Sequence, residues 1–203
     1  MKKRELSLFL IPGFLLLAIF STKLALSNEK KSDDYRIFQT KGWFGNGNKE
    51  DFKITLDSKI KFEGDNSILI EAKKIPVKEF ATIIQKIDPE KYLNKRVKFS
   101  GYIKTENAGH GCLWMRIDGE DKKALQFDNM YDRAPQGTTD WKKYDVVLDV
   151  PNNSKFIVFG AFLDGKGKAW FDNFSLEVVD KNVELTDKEN EIKKVPENLN
   201  FEK

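Results

Sequence analysis

Cysteine and histidine each occur once in the 203 residues, as Cys112 and His110. A single thiol excludes an internal disulfide, and one histidine beside one cysteine excludes the ligand spacing of an ordinary zinc site. Standing two apart, they would share one face of a strand. No third residue is evident to orient them as a nucleophile pair. His110, between Gly109 and Gly111, reads as a turn residue, and Cys112 as a small buried apolar one. Long apolar runs are also scarce. Residues 6–20 form one, about 15 residues against the roughly 20 that a spanning helix needs. No stretch of helical period competes within residues 35–179. Charge of one sign is missing too. The formal +3 comes from 35 basic and 32 acidic residues, and residues 1–27 account for all of it, with Lys2, Lys3, Arg4 and Lys23 against Glu5. The remainder is balanced, which offers no attraction to nucleic acid or to an acidic surface.

The ends of the chain differ from its middle. A basic start, the apolar run interrupted by Pro12–Gly13, and the small residues of Ala25–Leu26–Ser27 make residues 1–27 a signal peptide or N-terminal anchor. Cleavage after Ser27 fits best, and any membrane contact would run through this segment if uncleaved. Residues 28–34 are a polar linker. From residue 28 onward the chain is expected to be secreted or extracytoplasmic, and an exported protein without disulfides points to a bacterial cell envelope. Residues 180–203 are charge-rich and read as a flexible tail or linker.

What is present between them is aromatic and alternating. Sixteen Phe and four Trp provide for a packed core. In residues 137–151 (GTTDWKKYDVVLDVP), a turn over 137–140 leads to Trp141. Tyr144, Val146, Leu148 and Val150 then alternate with Lys143, Asp145, Val147 and Asp149. Similar short runs cover 52–56, 68–72, 80–87, 97–104, 113–118, 124–127 and 169–178, with a glycine-rich loop at 42–48 and a brief helical turn after Asp88-Pro89-Glu90. Residues 155–163 (KFIVFGAFL) are apolar on both faces, as a central strand requires. About ten short strands and many Gly, Asn and Asp turns predict an all-β fold, a two-sheet antiparallel β-sandwich over 35–179.

Taken as a series, the WF-G loop at 43–45, FEGDNSILIEA at 62–72, IIQKIDPEKYLNKRVKFSGYIKTE at 83–106, CLWMRIDG at 112–119, GTTDWKKYDVVLDVP and the closing KAWFDNFSLEVV at 168–179 resemble the galactose-binding-like jelly-roll domains. That superfamily includes many bacterial carbohydrate-binding modules. The resemblance implies an accessory, non-catalytic part of a secreted or regulatory protein, with carbohydrate or a cell-envelope polymer as partner. It also implies a structural calcium held by an aspartate in the place of Asp172. Asp65 or Asp57 would then contribute, although no compact DxDxDG cluster is present.

Parity selects the candidate site. With Leu113, Met115 and Ile117 facing the core, Trp114 and Arg116 face outward, an indole to stack on a pyranose and a guanidinium to donate paired hydrogen bonds. The same count puts Tyr102 and Lys104 on the outer face of the preceding strand. Asp128, Asn129, Tyr131 and Arg133 add polar groups and an aromatic from the following loop. In the competing reading that loop covers Trp114, and Arg116 simply pairs with Asp128 or Asp132. Trp43, Trp141 and Trp170 read as packing residues. A glycosidase needs two carboxylates at fixed separation, and the sequence picks out no such pair.

Overall fold

The computed structural model describes residues 36–77 and 79–187, the side chains at 36, 37 and 122 excepted. The leader, anchor and linker expected over residues 1–34 lie outside them, as do residues 188–203.

Eleven strands form two antiparallel sheets. Six of them, β1 (Arg36–Thr40), β2 (Trp43–Asn46), β5 (Phe80–Ile87), β7 (His110–Asp118), β8 (Ala124–Asp128) and β10 (Phe156–Asp164), pair in the order β1-β2-β5-β10-β7-β8. The other five, β3 (Phe52–Asp57), β4 (Ser67–Ala72), β6 (Arg96–Ala108), β9 (Gly137–Asp149) and β11 (Lys168–Val179), pair in the order β3-β4-β11-β6-β9. The predicted jelly-roll sandwich is therefore the observed fold. Among the described residues helix is limited to 3₁₀ turns at Glu90–Tyr92, Glu120–Lys122 and Tyr131–Arg133. Among the described residues no helix is long and apolar enough to cross a membrane.

The two-residue period fills the space between the sheets. Val97, Phe99 and Ile103 of β6, Leu113, Met115 and Ile117 of β7, and Val146 and Leu148 of β9 are fully buried. They meet Ile157, Phe159, Ala161 and Leu163 of β10 in one core. Phe99 packs on Phe159 and Phe174 at ring-centroid distances of 4.9 and 5.3 Å. Gly101 makes room for this: a Cβ there would lie 2.5 Å from the Phe174 ring. Strand β10 is buried on both faces, as its unbroken apolar sequence predicts.

Three expectations shift. The glycine-rich loop at 42–48 contains strand β2, because Phe44, Gly45 and Asn46 pair with Ile84, Ile83 and Thr82. The turn expected at 137–140 is the start of β9, which joins β6 through two register shifts and so bends without leaving the sheet. The ordered sandwich also continues past residue 179. Arg96 donates from Nη1 to the carbonyls of Lys181 and Val183. Lys181 reaches Asp149 at 2.9 Å. Thr186 exchanges hydrogen bonds with both backbone groups of Val147, its Oγ1 accepting from the Val147 N–H at 2.7 Å and its N–H donating to the Val147 carbonyl at 3.1 Å. Residues 180–187 thus form a strap over the free edge of β9. They bury Val147, which alternation alone places among the exposed positions.

The strap is tied by charge. Arg96 donates to both oxygens of Asp149 at 3.0 Å. This bond holds the Asp149 carboxyl below the usual carboxylate range; partial burial opposes the shift and Lys181 adds to it. A carboxylate depressed in the folded state stabilises the fold above its unfolded pKa, near 3.9, and loses that contribution as pH falls through the folded value. The urea midpoint is therefore expected to drop below about pH 4. Asp149→Asn is expected to flatten that drop and to lower stability near neutrality. Identical pH profiles for the two proteins would show that the pairing contributes nothing.

Candidate functional site

The outer face of the six-stranded sheet is concave, and its groove has a volume of about 550 Å³. Its floor is built by three neighbouring strands. In β10, Phe156, Val158, Gly160, Phe162 and Asp164 alternate with the core residues and so face away from the core. Gly160 stands between Trp114 of β7 and Ile84 of β5. An added Cβ at Gly160 would lie 1.8 Å from the Ile83 carbonyl oxygen and 3.2 Å from Trp114 Nε1. The missing side chain lets the Trp114 indole cross β10 and donate from Nε1 to Thr82 Oγ1 on β5, at 3.0 Å. The Thr82 hydroxyl in turn donates to the Ala161 carbonyl at 2.9 Å. The indole is thus pinned at its polar end and half-exposed, a platform fixed in one orientation.

Aromatic groups line the rest. Phe80, Phe127 and Tyr131, three of the seven large apolar side chains exposed among the described residues, all face this groove, with Phe162 at its floor. An exposed apolar cluster of this kind makes the groove the candidate site. Arg116, opposite Phe127, is held by bidentate bonds from Nε and Nη2 to Asp118 at 2.6 and 3.0 Å. That pair uses two of the five N–H groups of the guanidinium. Among the described residues, Asp164 is the one carboxylate in the lining. The Tyr131 hydroxyl donates to it at 2.8 Å, and that bond raises the phenol above its ordinary range.

Four of the seven candidate residues meet here: Trp114, Arg116, Asn129 and Tyr131. The other three are placed differently. Tyr102 does face outward, but from β6, which belongs to the five-stranded sheet. It stacks on Phe62 at 3.7 Å, with Trp141 at the edge of the same ring. The strand before β7 in sequence lies on the opposite face of the sandwich in space, so parity gave the right direction on the wrong sheet. Asp128 and Arg133 lie behind the groove wall. Arg133 Nη2 bonds Asp128, which is 7% exposed, and also the Asp145 carbonyl of β9 at 3.2 Å. Burial works against the Arg133 charge, but the Asp128 carboxylate outweighs it and keeps the guanidinium firmly protonated. Arg116 pairs with Asp118 rather than with Asp128 or Asp132, and Asp128 and Arg133 of the 128–133 loop lie near enough to Cys112 for their charges to act on its thiol. Cys112 is fully buried although it shares the outward parity of Trp114, and burial pushes its thiol well up. His110 opens β7 rather than sitting in a loop, and its ring stacks on Tyr131 at 4.2 Å. Behind the wall, Phe127, Asn129 and Tyr131 share a second cavity of about 360 Å³ with Thr186 and Asp187 of the strap.

The other tryptophans pack. Trp43 lies against Phe159 and Phe174. Trp170 is 2% exposed and donates to Asp57 Oδ2 at 2.9 Å, a bond that lowers the Asp57 pKa. Asp172 accepts the N–H groups of Phe62 and Glu63 on Oδ2 and of Asn173 on Oδ1. It therefore fastens the 60–66 loop to β11. Calcium takes six to eight oxygen ligands. Amide donors fill the surroundings of Asp172 instead, and among the described residues no group of three or more acidic, His or Cys side chains gathers to hold an ion. The residues around Asp172 do not fit calcium.

No family model matches the chain. In solved structures, it is similar to the tandem CBM22-1–CBM22-2 domain of Paenibacillus barcinonensis Xyn10C, with a TM-score of 0.53 and 16% identity over 74% of this chain and 45% of that one. It is also similar to the C-terminal family 22 carbohydrate-binding module of Clostridium thermocellum Xyn10B, with a TM-score of 0.51 and 11% identity over 74% of this chain and 98% of that one. The fold is the jelly roll of the carbohydrate-binding modules. In sequence, the chain is 37% identical over 188 residues to an uncharacterized HTH-type transcriptional regulator, YbfP of Bacillus subtilis. The match takes in 90% of this chain and 64% of the regulator, so the chain spans less than two-thirds of that relative's length.

On this jelly roll the groove wall depends on the Asp128–Arg133 pair. Arg133→Ala leaves Asp128 buried without its cation, and the expected cost is about 2–4 kcal/mol. It also loosens the 128–133 loop near Cys112, so the thiol is expected to react faster with a disulfide reagent than in the parent. Unchanged stability together with unchanged thiol reactivity would show that the pair does not hold the wall.

Proposed function

We propose that this chain is an exported, non-catalytic binding module that holds a carbohydrate or other cell-envelope polymer in the groove of the six-stranded sheet. The observation that carries the reading is Trp114. Its indole is locked across Gly160 by the bond to Thr82, and its surroundings are aromatic walls and hydrogen-bonding groups at Arg116, Asn129, Asn46 and Asp164. A sugar ring presents an apolar face to such a platform and hydroxyls to such a rim. The shared fold with modules whose names include xylan-binding domains and a ligand-binding cleft supports it. The single carboxylate in the groove, among the described residues, supports a binding role over glycoside hydrolysis, which takes two. Export rests on the basic and then apolar pattern of residues 1–27.

The likeness to the HTH-type regulator favours a second reading, in which the same groove is the sensing site of a larger regulatory protein. Both readings need the groove to bind.

Affinity electrophoresis through gels containing xylan, glucan or purified cell wall tests this, run with and without calcium. The parent is expected to be retarded by at least one polymer. Trp114→Ala is expected to bind at least about tenfold more weakly, and a circular dichroism spectrum matching the parent's checks that it stays folded. Equal retardation of both proteins would remove the proposed site.

A further inference from the structure

One end of the groove gathers aromatic rings around a carboxylate. Asp164 lies opposite Phe80 on one side and His110 on the other. Phe162 stands two residues away on the same face, in edge contact with Phe80 at 5.8 Å. Tyr131 leans over the carboxylate with its hydroxyl bonded to Oδ2. The rings of Phe80, Phe162 and Tyr131 thus gather around one carboxylate whose side chain is 33% exposed. Among the described residues no lysine or arginine pairs with it; its ionisable partner is His110, at 3.9 Å. The contrast with Arg116 is direct. That cation lies at the other end of the groove and is matched by the buried Asp118, so it adds no excess positive charge. Asp164 is therefore an acidic group of the lining without a lysine or arginine partner among the described residues, set among ring faces. Carboxylate and ring faces both attract an ammonium group, the carboxylate by charge and the rings by their quadrupoles.

We propose that this end of the groove takes a protonated amine, and that the preferred ligand is an oligosaccharide of amino sugars carrying free rather than acetylated amines. The inference rests on the carbohydrate reading above: Trp114 supplies the stacking platform and the Asp164 end selects the substituent. An acetyl group removes the charge and adds bulk between Phe80 and Tyr131. A neutral hydroxyl in the same place gains one hydrogen bond and no charge attraction.

The test is calorimetric titration of the full chain at about pH 6.5, where carboxylates are ionised. The probes are glucosamine hexamer, N-acetylglucosamine hexamer and xylohexaose. The parent is expected to bind the glucosamine hexamer about tenfold more tightly than either of the others. Asp164→Asn keeps an acceptor for Tyr131 and removes the charge, so it is expected to bring the three affinities within about twofold, while Trp114→Ala weakens all of them. If a neutral hexamer binds the parent as well as the glucosamine hexamer, and Trp114→Ala abolishes it, the amine preference is wrong and the carbohydrate groove stands. If Asp164→Asn retains the full preference, the amine is held elsewhere and the proposal falls. If no hexamer binds the parent, both the amine proposal and the carbohydrate reading fall.

Discussion

Burial of β10 on both faces is the constraint on which the rest of the molecule depends. A strand with core on one side and a groove floor on the other has to be apolar throughout, and residues 156–164 are. Its inner row closes against β4, β6 and β11. Its outer row needs cover, and the cover is supplied by large side chains from the neighbouring strands lying across it. Gly160 is where this works most plainly. The sheet has no room for a Cβ beside Ile83, and the indole of Trp114 occupies the outer surface instead. The feature that lets β10 sit at the centre of its sheet is therefore also the one that orients the groove's principal aromatic group.

Much of the architecture was legible in the chain because it is local. Period-two alternation at 97–103 and 113–117 named the core residues on β6 and β7, and the doubly apolar 155–163 run named the central strand. The site was legible only in part, because sheet neighbours are set by pairing between distant segments. Trp114 and Arg116 were found by parity within one strand. Thr82, Phe80, Phe162 and Asp164 were missed, since their roles come from β5 and β10 lying beside β7. Tyr102 shows the converse: parity within β6 is right, but β6 and β7 are consecutive in sequence and belong to different sheets. The strap was missed for a similar reason. Its bonds to Val147 use backbone groups and a threonine, and a charge-rich segment gives no periodic sign of that.

The ionic groups divide by task. Arg96 with Asp149, and Arg133 with Asp128, are pairs that hold peripheral segments to β9, the strap in one case and the groove wall in the other. Arg116 with Asp118 orients a guanidinium at the groove without leaving it a surplus charge. Asp164 differs from all of these in lacking a fixed cation. In a chain whose body has equal numbers of acidic and basic residues, such local imbalance, rather than net charge, is what distinguishes one surface from another.

The strap has one more consequence. After the last strand the backbone doubles back along β9 and brings Thr186 and Asp187 against the far side of the wall whose near side is Phe127, Asn129 and Tyr131. Whatever the groove holds and the point where the described backbone ends are thus separated by the thickness of a single loop. A ligand long enough to overhang that loop would meet the strap itself.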